Sequence, residues 1–490
     1  MASQEHQGKS GGRQHHAVAV SFPTSGHLNP LIRFCKLLVK DHGFAVTFVD
    51  VRRASEGSAA PPQAGMLRSP PSHVPQPPVP SFRRVQISSN AMPKACDLSF
   101  RSLFETTASL GPELEDVILS INHEDRPVTC LIADFNMIVP AQDVADRLGV
   151  PCVVLCTCSA SMLLLTHYLS QGDVVCMDSV ICAHSSAKDG DDVFCRCLRG
   201  LPTLFNKDIP HFRHVEDETR HVWELLIQLW KICDGKAHSI VINTIEGLED
   251  CTCAALTDSS GVPVYDAGFW VDHPCNDIST SPWKEDEGCM PWLEQQPICS
   301  VLYISFGSIA LLSQKELEAF AEGIISSQQR FLWVLRPDLV KETRYSAKDV
   351  VEKSRGRGLV VEWAPQLQVL AHPSVGGFLT HCGWNSTTEA IANGVPMLCW
   401  PYFGDQLLNA RCIVDEWKVG LAFHAEKKDS SVELKSGEIE RAIRSLMEGN
   451  EGRTVRENAQ KLKEKSSRSF HPDGSSHMKL RSLLERLYTK

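Results

Sequence analysis

Two textures alternate along the chain: short apolar, β-branched runs, and longer stretches whose apolar positions return every three or four residues. HAVAVSFP, residues 16–23, is of the first kind and reads as a buried strand closed by Pro and Gly. Leu28, Leu31, Ile32, Cys35, Leu38 and Val39 then recur at helical spacing up to Gly43, and FAVTFVD (44–50) supplies a second strand. A β-α-β opening implies a parallel sheet. Further strands are expected in VTCLIAD (128–134), PCVVLCT (151–157), SIVINT (239–244) and VYDAGF (264–269). A second series begins at SVLYISFGS (300–308), followed by a helix near 313–328 in which Ser313 and Glu316 have capping-box spacing. FLWVLR (331–336), GLVVEW (358–363), VGGFLT (375–380) and PMLCW (396–400) continue it, each trailed by a helical segment.

Residues 54–80 carry many Pro, Ser and Ala without periodicity and read as a loop. Segments 183–192 and 271–289 are polar and irregular, and the second, lying before the new β-α-β series, reads as a linker. The expected organisation is α/β, with an N-terminal Rossmann-like domain over 1–270, the linker 271–289 and a second such domain over 290–469. A helix follows HPDG in 470–490, with return to the N-terminal domain as one option for its packing. No repeat of about 20–50 residues is evident.

Composition narrows the class. At 490 residues, 43% hydrophobic and 22% charged, the chain is globular and too long for one ordinary core. Its net charge of −10 argues against nucleic-acid backbone binding but leaves small anions open, since local dipoles hold those. The nineteen cysteines never fall in a CxxC pair, so buried thiols in a reducing compartment fit better than zinc ligands. The first residues lack a signal-peptide apolar core, and no run approaches the roughly eighteen apolar residues of a membrane span. The expectation is a cytoplasmic monomer.

FLTHCGWNSTTEAI (378–391) poses the chemical question. As a metal site, His381 and Cys382 lack partners at the usual spacing. As a nucleophile and base, adjacent side chains on one regular element rarely face each other. As an anion cradle, GGFLT ends a strand, HCGWN turns, and STTEAIANG opens a helix with Asn385 and Ser386 at capping positions. Such a turn aims free backbone N–H groups and the positive end of the helix dipole at the carboxyl edge of the sheet, where phosphate binds. His381 adds a donor, and Glu389 suits a ribose hydroxyl pair. Capped helices are also common without ligands.

The surrounding block from Trp363 to Gln406 resembles the 44-residue signature of plant family 1 UDP-glycosyltransferases. The resemblance extends to SGHLNP near the start, CLIADF in the middle and SVLYISFGS in the second series, and so covers almost the whole chain. It implies a GT-B fold, two facing Rossmann-like domains with the sugar nucleotide mostly on the C-terminal one. By motif position, Trp363 would stack on the uracil, Gln366 and Glu389 would hold the ribose, and Ala364 would belong to the UDP-sugar site. His381, Asn385, Ser386 and Ser308 would contact the diphosphate; Trp384 by its backbone, Asp405 and Gln406 would bind sugar hydroxyls. Ser25 and Thr157 would touch sugar or phosphate from the N-terminal side. Each has a plainer alternative: Trp363 and Trp384 as core, Glu389 as an exposed helix residue, Asp405 as an N-cap.

Glycosyl transfer needs a base for the incoming hydroxyl and stabilisation of the departing diphosphate. His27, just past the first strand and immediately before the next helix, is the candidate base, and Asp134 at another strand's end would fix its tautomer. The family uses this His–Asp pair; without the resemblance, both would read as structural. The resemblance then implies inverting, metal-independent transfer from a UDP-sugar to a small, mainly apolar acceptor, with no cofactor. Gln406 suggests glucose, since a histidine there in this family often marks galactose use. Two alternatives stand: a metal-dependent glycosyltransferase, for which Asp189 to Asp192 contains a DxD, and a non-catalytic sugar-nucleotide sensor. A dehydrogenase is disfavoured because no GxGxxG follows a strand.

Overall fold

The computed structural model describes residues 15–53, 81–89, 100–124, 127–172, 193–195, 198–211, 216–272, 285–307, 312–336, 346–423 and 435–488. Ser308, the Pro-rich stretch 54–80, the polar segment 183–192 with its DxD, and most of 271–289 lie outside the described residues.

The first sheet gathers β1 (His16–Val20), β2 (Ala45–Arg53), β3 (Ser81–Ser89), β4 (Cys130–Asp134) and β5 (Cys152–Cys156), then β8 (Ser239–Ile242) and β9 (Val264–Asp266). Between β5 and β8 a small antiparallel ribbon pairs β6 (Val193–Cys195) with β7 (Leu204–Phe205). The seven strands run in the order β3-β2-β1-β4-β5-β8-β9, every neighbour parallel. Strands β1, β4, β5 and β8 are buried along their whole length, which is why they read as unbroken apolar runs. Edge strand β3 places Arg83 and Arg84 among its partly buried positions and exposes Gln86, so its sequence carries no apolar run to announce it.

The second sheet holds β10 (Val301–Ser305), β11 (Arg330–Val334), β12 (Gly358–Val361), β13 (Val375–Thr380), β14 (Met397–Cys399) and β15 (Gly420–Ala422), in the order β12-β11-β10-β13-β14-β15. Its pairs are parallel as well. Ser313 and Glu316 form the expected capping box at the start of the Gln314–Ser327 helix.

In both sheets the strand order reverses next to the first strand of the series, between β1 and β4 and between β10 and β13. Crevices at such switch points, outside the strands' carboxyl ends, are where open parallel sheets take ligands. His27 and Asp134 follow β1 and end β4; Gly307 and His381 follow β10 and β13. The two halves touch directly. Nε1 of Trp384 donates to the Asn243 carbonyl at 3.0 Å, Nε1 of Trp417 to that of Leu248 at 3.1 Å, and the Gly404 N–H to that of His211 at 2.7 Å.

The chain's last described helix, Ser475–Tyr488, lies on the first sheet's side of the molecule. Leu480, Leu483 and Leu484 are buried in one cluster with Phe34 and Trp270, and Lys479 Nζ donates to Asp266 Oδ2 at 2.6 Å at the end of β9. Leu483 is 1% exposed, so Leu483→Ala leaves a cavity worth about 2–5 kcal/mol of stability. Urea unfolding should show the midpoint falling without a change in slope; an unmoved midpoint would mean this helix adds nothing to the first domain.

Candidate active site

His27 does not precede the first helix, as its sequence suggests; it lies in that helix's first turn. The Ser25–His42 helix begins two residues earlier because the Thr24 carbonyl accepts from the N–H groups of His27 and Leu28, at 3.0 and 2.9 Å. This turn directs the imidazole toward the end of β4. There Nδ1 meets Asp134 Oδ2 at 2.8 Å, and the Thr157 hydroxyl lies 3.0 Å from the same nitrogen. Asp134 is wholly buried, and its other oxygen accepts from the Asn136 N–H at 2.9 Å, so the carboxylate is held at both ends. Burial by itself lowers the His27 pKa, but the charge and hydrogen bond of Asp134, with the charge of Asp405 across the cleft, outweigh it and leave it raised. With Nδ1 engaged, Nε2 is the nitrogen left to face the cavity, and the side chain is 26% exposed.

On the opposite wall, the helix following β13 runs from Trp384 to Asn393. The expectation that Asn385 and Ser386 cap it is corrected: Gly383 is the N-cap, with φ −60° and ψ 143°, and both side chains lie inside the first turn. The Thr387 N–H bonds back to the Gly383 carbonyl at 2.9 Å, so the N–H groups of Trp384, Asn385 and Ser386 precede the helical ladder. Two glycines make room for His381. A Cβ on Gly307, whose φ is +74°, would come within 2.6 Å of its Nε2, and one on Gly383 within 2.5 Å. Burial pulls the His381 pKa down to about 4, with Arg336 adding to the shift and a hydrogen bond with the Ser305 backbone opposing it. The ring is therefore neutral near pH 7. A neutral ring lining the cavity beside a helix N-terminus suits an incoming anion.

Deeper in this wall a chain of hydrogen bonds links the ribose candidates. Tyr303 donates to Gln366 Oε1 at 3.3 Å, and Gln366 Nε2 donates to Glu389 Oε2 at 2.8 Å and to Ser386 Oγ at 3.0 Å. Trp363 is half-buried, with its carbonyl accepting from Asp286 N–H at 2.9 Å; Ala364 is buried beside it. Trp384 packs its indole 6.0 Å from that of Trp417, with its Nε1 engaged by the Asn243 carbonyl. Asp405 accepts from Asn409 Nδ2 at 2.9 Å; burial raises its pKa, against the pull of Asn409 and His27. Gln406 is buried, its Oε1 accepting from the N–H groups of Tyr402 and Phe403 at 2.9 and 3.1 Å.

A cavity of about 1220 Å³ lies between the walls. Every described candidate lines it except Asp134, which stands behind His27: Ser25, His27 and Thr157 on one side, Trp363 through Gln406 on the other. Its far end is apolar, with Phe104, Phe135, Met162, Leu163 and Trp223. Among the described residues, no three His, Cys, Asp or Glu side chains cluster as a metal site. Sequence reasoning missed Arg33, whose Nη1 donates to Glu389 Oε1 at 2.8 Å from the other domain, and the contact of Asn385 Nδ2 with the Gly26 carbonyl at 2.6 Å. The signal for Arg33 was present: a cation set among Leu31, Ile32, Phe34 and Cys35, all four of them buried.

The family model described as UDP-glucoronosyl and UDP-glucosyl transferase matches residues 284–467. Over 96% of both chains, the protein is 34% identical to UDP-glycosyltransferase 85A1 of Arabidopsis thaliana. It is 31% identical to the (R)-mandelonitrile beta-glucosyltransferase of Prunus dulcis, over 96% of this chain and 97% of that one. The structure of Phytolacca americana UGT2 with UDP-2fluoro-glucose and pterostilbene superposes with a TM-score of 0.76, at 29% identity over 97% of this chain and 100% of that chain.

Gly307→Ala tests the anion wall. The added methyl forces the His381 ring from its slot, so affinity for a nucleoside diphosphate should fall about ten- to a hundredfold in calorimetric titration. Unchanged affinity in a folded variant would show that the His381 position does not matter to the anion.

Proposed function

The chain belongs to the plant UDP-glycosyltransferases, and from that premise we propose that it transfers glucose from UDP-glucose to a hydroxyl or carboxyl of a small, mainly apolar acceptor, with inversion and with His27 as base. The observation that carries this reading is the His27–Asp134 pair, at 2.8 Å, facing a helix N-terminus across one cavity.

The acceptor oxygen loses its proton to Nε2 of His27 as it attacks the anomeric carbon. Asp134 keeps the proton on Nδ1 and stabilises the imidazolium that forms. The bond from the anomeric carbon to the diphosphate breaks on the opposite face, and the leaving UDP takes up the electron pair. The N–H groups of the Trp384 helix, its dipole and the neutral His381 then meet the charge developing on the diphosphate. One displacement through an oxocarbenium-like state turns the α-linked donor into a β-glycoside. The uracil is assigned to Trp363, with Ala364 in the same UDP-sugar site, the ribose to Gln366 and Glu389, and the diphosphate to His381, Asn385, Ser386 and Ser308, the last outside the described residues. Sugar hydroxyls are assigned to the Trp384 backbone, Asp405 and Gln406, with Ser25 and Thr157 touching sugar or phosphate.

The apolar end of the cavity supports an acceptor with a hydrophobic body, and the names of the almond relative and of the pterostilbene complex point the same way. Fixed dipoles supply the leaving-group stabilisation, so the reading needs no metal and no cofactor; activity in EDTA separates it from a metal-dependent transferase. No described helix is long and apolar enough to cross a membrane. A monomer in the cytoplasm is part of the proposal.

His27→Ala should lower kcat about 10²–10⁴-fold while UDP binds as before, whereas a sugar-nucleotide sensor would lose nothing by the change. The base acts when neutral and its pKa is raised, so kcat/KM should climb with pH through one ionisation above the usual histidine value of about 6.5. Asp134→Asn removes the main raising influence, so that ionisation should move to lower pH as kcat falls. A profile unmoved by Asp134→Asn would remove His27 from the base's role.

A further inference from the structure

Two of the contacts across the cleft join the same two helices. Nδ2 of Asn385 donates to the Gly26 carbonyl at 2.6 Å, and Nη1 of Arg33 to Glu389 Oε1 at 2.8 Å. Asn385 and Glu389 are one turn apart on the Trp384–Asn393 helix; Gly26 and Arg33 are two turns apart on Ser25–His42. Each pair therefore shares a helix face. One of these helices carries the base, and the other supplies the anion-facing N–H groups and the ribose carboxylate.

The first contact is favoured by a residue that cannot donate. In a regular helix the Gly26 carbonyl accepts from the N–H of residue 30, and residue 30 is proline, which has none. Pro30 leaves that carbonyl to an outside donor one residue from the base. The second contact is a buried ion pair, with side chains 12% and 7% exposed. Such pairs add little net stability, because desolvation offsets the attraction, so stability alone is a weak reason for it. Glu389 takes Arg33 on one oxygen and Gln366 on the other, and each oxygen keeps a further lone pair for a ribose hydroxyl.

We propose that Arg33 and Pro30 are positioning residues that latch the base-bearing helix to the nucleotide-binding helix. Arg33 acts through Glu389 and Pro30 through the Gly26 carbonyl, so the ribose and the base are placed by one docking event. The inference rests on the reading of Glu389 as the ribose carboxylate. Nucleotide affinity then includes a contribution from the domain that does not hold the nucleotide, and separation of the helices weakens donor binding and misplaces His27 together.

Calorimetric titration of the full chain with UDP and with 2′,3′-dideoxy-UDP tests the latch. Arg33→Met should weaken UDP binding about ten- to a hundredfold yet barely change dideoxy-UDP binding, because the loss runs through the ribose hydroxyls; Arg33→Lys should recover part of it. Pro30→Ala restores the helical N–H, which draws the Gly26 carbonyl back along the helix axis and away from Asn385. It should lower kcat about tenfold while the melting temperature holds or rises, a split that loss of structure does not produce. If Glu389→Gln weakens UDP binding but Arg33→Met does not, the latch is wrong and the ribose reading survives. If neither variant changes UDP binding, the ribose reading fails and takes the latch with it. Equal loss for both nucleotides in Arg33→Met also overturns the proposal. Should that variant fail to fold, Arg33→Lys decides by the same comparison, an intermediate, hydroxyl-dependent loss supporting the latch and wild-type binding refuting it.

Discussion

Nδ1 of His27 faces a wholly buried carboxylate 2.8 Å away, and the first domain's side of the cleft is arranged around that bond. A buried Asp134 without a partner would be costly. Held by the Asn136 N–H and by the imidazole, it instead fixes which histidine nitrogen carries the proton and which way the other points. The bond depends in turn on the fold. Asp134 ends β4 and His27 follows β1, and those strands are neighbours only because the strand order turns there.

The same topology, repeated in the second sheet, sets a helix N-terminus beside His381, the wall proposed to take the diphosphate despite the chain's net charge of −10. Global charge governs long-range attraction, whereas the wall around His381 works over a few ångströms through a helix N-terminus and a neutral imidazole. The neutrality has a cause in packing: two glycines let the ring sit where burial keeps it unprotonated. Opposed switch points then present a helix N-terminus and the His27 imidazole to a shared cavity, a division of labour that suits the proposed displacement at a carbon between them.

The sequence made legible what depends on burial and periodicity. β1, β4, β5, β10 and β13 stand out because both their faces are covered, and the Gly43 and Ser313 ends of two helices because capping chemistry is local. Edge strand β3 stayed hidden, since a half-exposed strand with two arginines lacks an apolar run. At the site, the Trp363–Gln406 block pointed to residues that the fold gathers on one wall, because they belong to contiguous local structure. Arg33 with Glu389, and Gly26 with Asn385, are pairings 356 and 359 residues apart, and no local pattern encodes them. The proline that frees the Gly26 carbonyl was visible as part of SGHLNP, but its consequence needs the partner helix.

The stereochemistry of the product tests the central claim most directly. With UDP-α-glucose and a simple phenol as acceptor, proton NMR of the first glycoside formed reads the anomeric configuration. A base on one wall and a leaving diphosphate on the other require the β-anomer alone. Formation of the α-anomer would contradict the account, because retention needs an attack from the donor's own face that this cleft gives no base to assist.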